Sequence, residues 1–233
     1  MGTRKKGRFL RKSPRNRYYP LYFGLPLLLG FGALAFAATR NPASSLDLSV
    51  ASFVQSFESP SLTKVMELFT VLGSAKVSAL VALLSIVLLY VVLRHRLELV
   101  FLCCVVGGSA VMNQLMKIVF HRERPSVHRL IEETGFSFPS GHTMGAIALY
   151  GALAFLLWRH IRTRIGRVLL IITSCAIIGM IGISRIYLGV HYPSDVLAGL
   201  LASGFWFSFM VYQYQLYMER RTGKMSIGRG NTP

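Results

Sequence analysis

The sequence predicts an all-α, integral membrane fold: a bundle of six transmembrane helices, with short interfacial helices after the first span. Three observations carry that expectation. Of the 233 residues, 53% are hydrophobic and only 15% charged, against about 25% charged in ordinary soluble domains. The apolar residues are gathered into runs long enough to cross a ~30 Å hydrocarbon layer. The net charge of +17 is concentrated at the ends of those runs, as cytoplasmic basic segments are. A disordered basic chain would lack the apolar content. The three cysteines, Cys103, Cys104 and Cys175, lie inside apolar runs with no C-x-x-C spacing. They are expected to be small buried residues and not zinc ligands.

Residues 1–17 hold eight Lys/Arg and no acid, a basic cytoplasmic tail. The first apolar run, Tyr18 to Ala38, ends near Ala35-Phe36-Ala37, which also suits a cleaved leader. Its length of about 21 residues favours a retained span. Ser44 and Asp47 carry the marks of a helix N-terminus. Leu46, Val50, Phe53, Val54 and Phe57 then recur on one face. Such a helix can lie in the membrane interface or pack on the core, and both readings stay open. Ser59-Pro60 starts a second short helix, ending near Gly73. The remaining spans are Lys76–Leu93, Leu97–Phe120, His142–Trp158, Val168–Ser184 and Pro193 to about Met218. Residues 18–218 thus read as one six-span domain, and 219–233 as a second cytoplasmic tail.

Orientation follows from the basic residues. With the N-terminus in the cytoplasm, the cytoplasmic segments hold eight, two, four and four Lys/Arg, 18 in all, against 8 on the other side. That bias places both termini in the cytoplasm of a multi-pass plasma-membrane protein. It accounts for the charge without nucleic acid. Five of the outer cations fall in two short stretches, 117–129 and 185. Cations held near a membrane are costly, and an anion is their natural compensation.

Three stretches meet that outer face: Lys117 to Pro125, Phe138 to His142, and Ser184 to Asp195. Arg124 and Arg185 offer planar forks that match phosphate oxygens, and Lys117 adds a point charge. Ser140 and Gly141 start a helix whose free N–H groups favour an anion. His142, in the first turn, can offer a proton. Asp195, in the first turn of the last helix, can reach back to His191. A carboxylate on one imidazole nitrogen fixes the tautomer and frees the other nitrogen to attack. His121, His128, Arg122 and Arg129 suit surface-loop roles equally well. Glu123, Glu132 and Glu133 are expected in solvent or offsetting the local charge. His95 and His160 fall on the cytoplasmic side and read as solvated.

These stretches resemble the type 2 phosphatidic acid phosphatase superfamily, whose signature is K-x6-R-P, P-S-G-H and S-R-x5-H-x3-D. Lys117 with Arg124-Pro125, Pro139 to His142, and Ser184-Arg185 with His191 and Asp195 match every specified position. The superfamily also holds soluble vanadium haloperoxidases, and the spans favour its membrane branch. The resemblance implies hydrolysis of phosphomonoesters or diphosphates without metal or cofactor. It implies a catalytic set of His191 as nucleophile, Asp195 as its orienter and His142 as acid, then base. Lys117, Arg124, Ser140, Gly141 and Arg185 would bind phosphate.

The partners expected are the bilayer and a lipid phosphate: phosphatidylglycerophosphate, undecaprenyl diphosphate or phosphatidic acid. No oligomeric state is assigned. A phosphotransferase of the same superfamily remains open, because water enters only in the second step. A transporter of anionic lipid is a further alternative. It has no need of a His–Asp pair, and paired interrupted helices in two related halves are not evident in the sequence.

Overall fold

The computed structural model describes residues 18–92 and 96–228. The basic tail assigned to 1–17, His95 and the end of the C-terminal tail lie outside the described residues. Those that are described form helices and connecting loops, without strands.

The first helix, α1 (Tyr19–Arg40), has proline in its opening turn, where no N–H is needed. Ser44 caps α2 (Ser45–Gln55), its Oγ accepting from Asp47 N at 3.1 Å. Ser59 and Pro60 open α3 (Pro60–Leu72), and Ser74 caps α4 (Ala75–Val87), which runs into a π turn, Leu88–Val92. Next is α5 (Arg96–Phe120). Ser140 caps α6 (Gly141–Ala146). A π turn (Ile147–Gly151) joins it to α7 (Ala152–Trp158). Thr163 caps α8 (Arg164–Tyr187), and α9 (Pro193–Gly228) ends the described chain. These caps satisfy N–H groups that a helix cannot pair itself.

Among the described residues, five stretches are long and apolar enough to cross a membrane: Tyr19–Arg40, Arg96–Phe120, Gly141–Trp158, Arg164–Tyr187 and Pro193–Arg221. The pair Pro60–Leu72 and Ala75–Val91, bent by 50°, can supply the sixth. The expected short helix after Ser59 is observed as α3, and it meets α4 at that bend. Gly73 and Ser74 make the break, because Ser74 starts a freshly capped helix. The last helix runs ten residues past Met218.

Helix α1 packs along α9, α3 lies against α8, and α5, α6 and α9 meet around a shared interior. Leu102, Val105, Ala148 and Ala152 are fully buried there with Phe101 and Val211. A second cluster, Met66, Tyr187, Leu188 and Val190, lies under the α8–α9 turn. Apolar side chains also cover the outside, including Leu29, Val119 and Ile172, as a surface facing lipid requires.

One expectation is corrected. Cys103, Cys104 and Cys175 are exposed on the outside of the bundle. They lie on helices whose buried positions are taken by other residues, and in a bilayer an apolar thiol is equally at home against lipid. Helix α2 shows some of each reading: Leu46 and Phe53 are more than half exposed, while Val54 packs against the Met66 cluster and Asp47 is buried. The outward apolar face suits the interfacial reading.

Candidate active site

The predicted site residues converge where α5, α6, α8 and α9 reach one end of the bundle. The backbone arranges this. Asn113, buried on α5, donates from Nδ2 to Pro139 O at 3.0 Å, and Ser140 N donates to Asp195 O at 3.0 Å. The Pro139–His142 turn is thus fixed to α5 on one side and α9 on the other. Glycine is needed at 141, since a Cβ there would stand 2.9 Å from Asn113 Oδ1. After α8 the chain turns at Gly189, with φ of +74°, and returns His191 towards Arg124.

His191 is 2% exposed and gripped on both sides. Its Nδ1 lies 3.4 Å from Asp195 Oδ2 and 3.4 Å from Ser137 Oγ. Its Nε2 lies 3.1 Å from Arg124 Nη1. A guanidinium only donates, so Nε2 is the acceptor and Nδ1 carries the proton. Burial pulls the imidazole down to about 4, against the opposing pull of Asp195, and the Arg185 and Arg124 charges add to the lowering. The ring is neutral at physiological pH, and its free lone pair faces a cation that binds phosphate well.

Arg124 is buried and further held by Gly135 O (3.0 Å), Val190 O (2.9 Å) and Thr134 O (3.1 Å). Arg185, 1% exposed, donates to Thr70 Oγ1 at 2.5 Å and to Glu133 Oε2. Its Nε is buried without a hydrogen-bond partner among the described residues, an unsatisfied donor of the kind that sites keep for ligands. Glu133 also lies 3.9 Å from Arg124. Burial pushes its carboxyl upward, but the Arg185 charge and hydrogen bond reverse that and hold it below the usual carboxylate range.

Lys117 and His142 face the same cluster. Lys117 is within electrostatic reach of Arg124, Glu133, Arg185 and Asp195, and His142 of Arg185, Glu133, His191 and Arg124. Neither is tied up by a hydrogen bond or ion pair to another described residue. Ser140 is fully buried, and its Oγ receives Thr143 Oγ1 at 3.1 Å.

The structure thus brings together all eight predicted residues. It adds Ser137, Asn113 and Glu133. It also adds Arg122, which was expected equally well in a surface role, and Asp47. Arg122 is 5% exposed and pairs with Asp195 and Asp47. Its place two residues before Arg124, on the outer side, was the signal available in the sequence. His121, His128 and Arg129 are exposed, and His128 pairs with Glu58 at 2.5 Å. A cavity of about 430 Å³ opens beside Arg122 and Arg124, lined also by Ala38, Phe120, Phe138 and Tyr192. It flanks the cradle, since His142, His191, Lys117 and Arg185 do not line it.

Fold and site define a class: a multi-pass membrane phosphatase. The comparisons place the chain within it. Residues 98–219 match the model of the PAP2 superfamily. The chain is 31% identical over 182 residues to phosphatidylglycerophosphatase B of Bacillus subtilis, covering 77% of this chain and 88% of that protein. It is 37% identical over 101 residues to an undecaprenyl-diphosphatase of Bacillus subtilis, 41% of this chain and 47% of that one. The crystal structure of a transmembrane PAP2-type phosphatidylglycerolphosphate phosphatase from Bacillus subtilis superposes with a TM-score of 0.75 at 29% identity. That superposition covers 84% of this chain and 97% of the other. The chain belongs to the PAP2 superfamily.

Proposed function

We propose that this phosphatase removes phosphate from a lipid phosphomonoester or diphosphate at the extracytoplasmic face, through a phosphohistidine on His191. The observation that carries the reading is the His191 ring itself. It is neutral and protonated towards Asp195, with Nε2 turned to the Arg124 guanidinium 3.1 Å away. A phosphoryl group held by Arg124 meets that lone pair.

In the first step His191 Nε2 attacks phosphorus, and the bond from phosphorus to the lipid oxygen breaks. His142 gives its proton to the departing oxygen. The developing imidazolium is stabilised by Asp195. In the second step His142, now neutral, takes a proton from water. The hydroxide attacks phosphorus, the P–N bond breaks, and inorganic phosphate leaves. Lys117, Arg124 and Arg185, with the N–H groups at Ser140 and Gly141, offset the charge on the equatorial oxygens. Such fixed electrostatic stabilisation is usually the largest catalytic term. No step calls on a metal.

The lipid class rests on the membrane setting and on the relatives, which are named for phosphatidylglycerophosphate and undecaprenyl diphosphate. Phosphatidic acid is the third candidate. The apolar face of α2 suits a boundary along which an acyl or prenyl chain enters.

The test is phosphate release from each of the three lipids by purified protein in EDTA, beside His191→Ala and His142→Ala. Wild-type activity is expected to survive the chelator. His191→Ala is expected to lose at least about 10³-fold. Persistent turnover by His191→Ala would refute the nucleophile assignment.

A further inference from the structure

The carboxylate beside His191 is itself held from behind by two charges that no step of the chemistry uses. Arg122 Nη1 donates to Asp195 Oδ1 at 2.6 Å, and Arg122 Nη2 to Asp47 Oδ2 at 2.9 Å. Asp47 accepts from Ser194 N at 2.8 Å and from Ser194 Oγ at 2.7 Å. It thereby caps α9 from a different helix. Arg122 also donates to Pro42 O from Nε at 3.0 Å and from Nη2 at 2.6 Å. Its guanidinium lies 4.4 Å from the centre of the Tyr192 ring. The side chains of Arg122 and Asp47 are each 3% exposed, and that of Asp195 is at zero.

Burying three charges is a poor way to gain stability, because their desolvation consumes most of the attraction between them. Apolar side chains of similar volume would join α2 to α9 as well. What the charges supply is direction. A carboxylate has two oxygens, and here each has its own partners. Oδ1 is taken by Arg122. Oδ2 receives Ser137 Oγ and Tyr192 N and faces His191 Nδ1.

We infer that Arg122 and Asp47 are positioning residues for the nucleophile. Arg122 occupies Oδ1 so that Oδ2 stays turned to His191, and Asp47 holds Arg122 while locking α2 onto the first turn of α9. The inference rests on His191 as nucleophile. It also accounts for the burial pattern of α2, which turns Leu46, Leu48 and Phe53 outward and Asp47 inward.

The two residues carry opposite charges, and this separates positioning from simple structural support. His191 faces Asp195 and Ser137, Arg124 from the α5–α6 loop, Arg185 from α8 and His142 from α6; Lys117 and Glu133 stand within reach of that cluster. All of these remain in Arg122→Gln and Asp47→Asn. Removing the Arg122 cation leaves the Asp195 charge less cancelled, so the acid limb of kcat/KM moves to higher pH. Removing the Asp47 anion leaves Arg122 less cancelled, so the limb moves to lower pH. Each shift should be roughly half a unit to one unit. The lipid's own titration is common to all variants and drops out of the difference.

The experiment measures pH profiles of kcat and KM for detergent-purified full-length wild type, Arg122→Gln, Arg122→Lys and Asp47→Asn on short-chain phosphatidic acid. Thermal unfolding is recorded for each. Arg122→Gln is expected to lose about 10- to 100-fold in kcat, the cost of a misplaced reacting group, with KM within about threefold. Arg122→Lys, which keeps the charge, is expected to return the acid limb to its wild-type position. If Arg122→Gln cannot be purified, the downward shift in Asp47→Asn decides the question alone. Losses of kcat that follow falling Tm with an unmoved acid limb, or shifts of the same sign in both variants, would overturn the positioning role. Turnover by His191→Ala would remove the reading beneath it. An inactive His191→Ala beside an unimpaired Arg122→Gln would remove only this inference.

Discussion

Glu133 bridges the two arginines assigned to phosphate, bonded to Arg185 and 3.9 Å from Arg124. A phosphate entering the same cradle has to displace that carboxylate or share the guanidiniums with it. Glu133→Gln removes the competing charge. Inhibition by inorganic phosphate is therefore expected to tighten about three- to tenfold, which corresponds to roughly 0.7–1.4 kcal/mol. A competition assay reads it directly. An unchanged inhibition constant with abolished turnover would instead make Glu133 a partner of His142. The His191 ring gives a second prediction at this scale. Burial holds it near 4, against about 6.5 for a free imidazole. The group is depressed, so its neutral nucleophilic form persists as pH falls until about 4 and is lost below. The acid limb of kcat/KM assigned to it should lie near 4. A limb near 6.5 that stays in place with a substrate analogue of lower phosphate pKa would contradict the burial. At this scale the sequence told much: all eight predicted residues converge. It hid Arg122, Asp47 and Ser137, because their work is to hold other residues, and partners such as Arg122 and Asp47 lie 75 residues apart. No local spacing records such a pair.

The elements were legible where a local cause sets them. Ser44 and Ser59 each cap the helix that follows, and capping is a rule of neighbouring residues. The inward face of α2 depends on what lies across the bundle, where Asp47 meets Arg122 and Ser194, and periodicity alone gave α2 two readings. The α8–α9 turn shows a local cause with a distant consequence. Gly189 sits at φ +74°, and a Cβ there would lie 2.2 Å from His128 O. A left-handed conformation costs a non-glycine residue roughly 1–2 kcal/mol, and here the clash is with backbone. Gly189→Ala should therefore lower the thermal unfolding temperature in detergent. It should also reduce kcat, because His191 is two residues further along. Wild-type values for both would show that the 128–129 loop yields to the added methyl.

For the whole molecule, charge and membrane placement are one subject. In the proposed orientation, Glu98 and Glu219 of the nine acids fall with the cytoplasmic segments and seven with the outer ones. The net charge would then be about +16 inside and +1 outside, the asymmetry that the positive-inside rule expects of that orientation. The outer cations are few, and several are buried against carboxylates: Arg122 on Asp47 and Asp195, and Arg185 on Glu133. This arrangement predicts which side of the membrane each loop faces. Val127 is 77% exposed in the loop that carries Arg124, and Arg162 is exposed between α7 and α8. With Cys103, Cys104 and Cys175 replaced by alanine, Val127→Cys should react with an impermeant maleimide added to intact cells. Arg162→Cys should react only after the membrane is opened. The reverse pattern would invert the orientation. It would put the His191 site on the cytoplasmic leaflet, and with it a different pool of lipid phosphates.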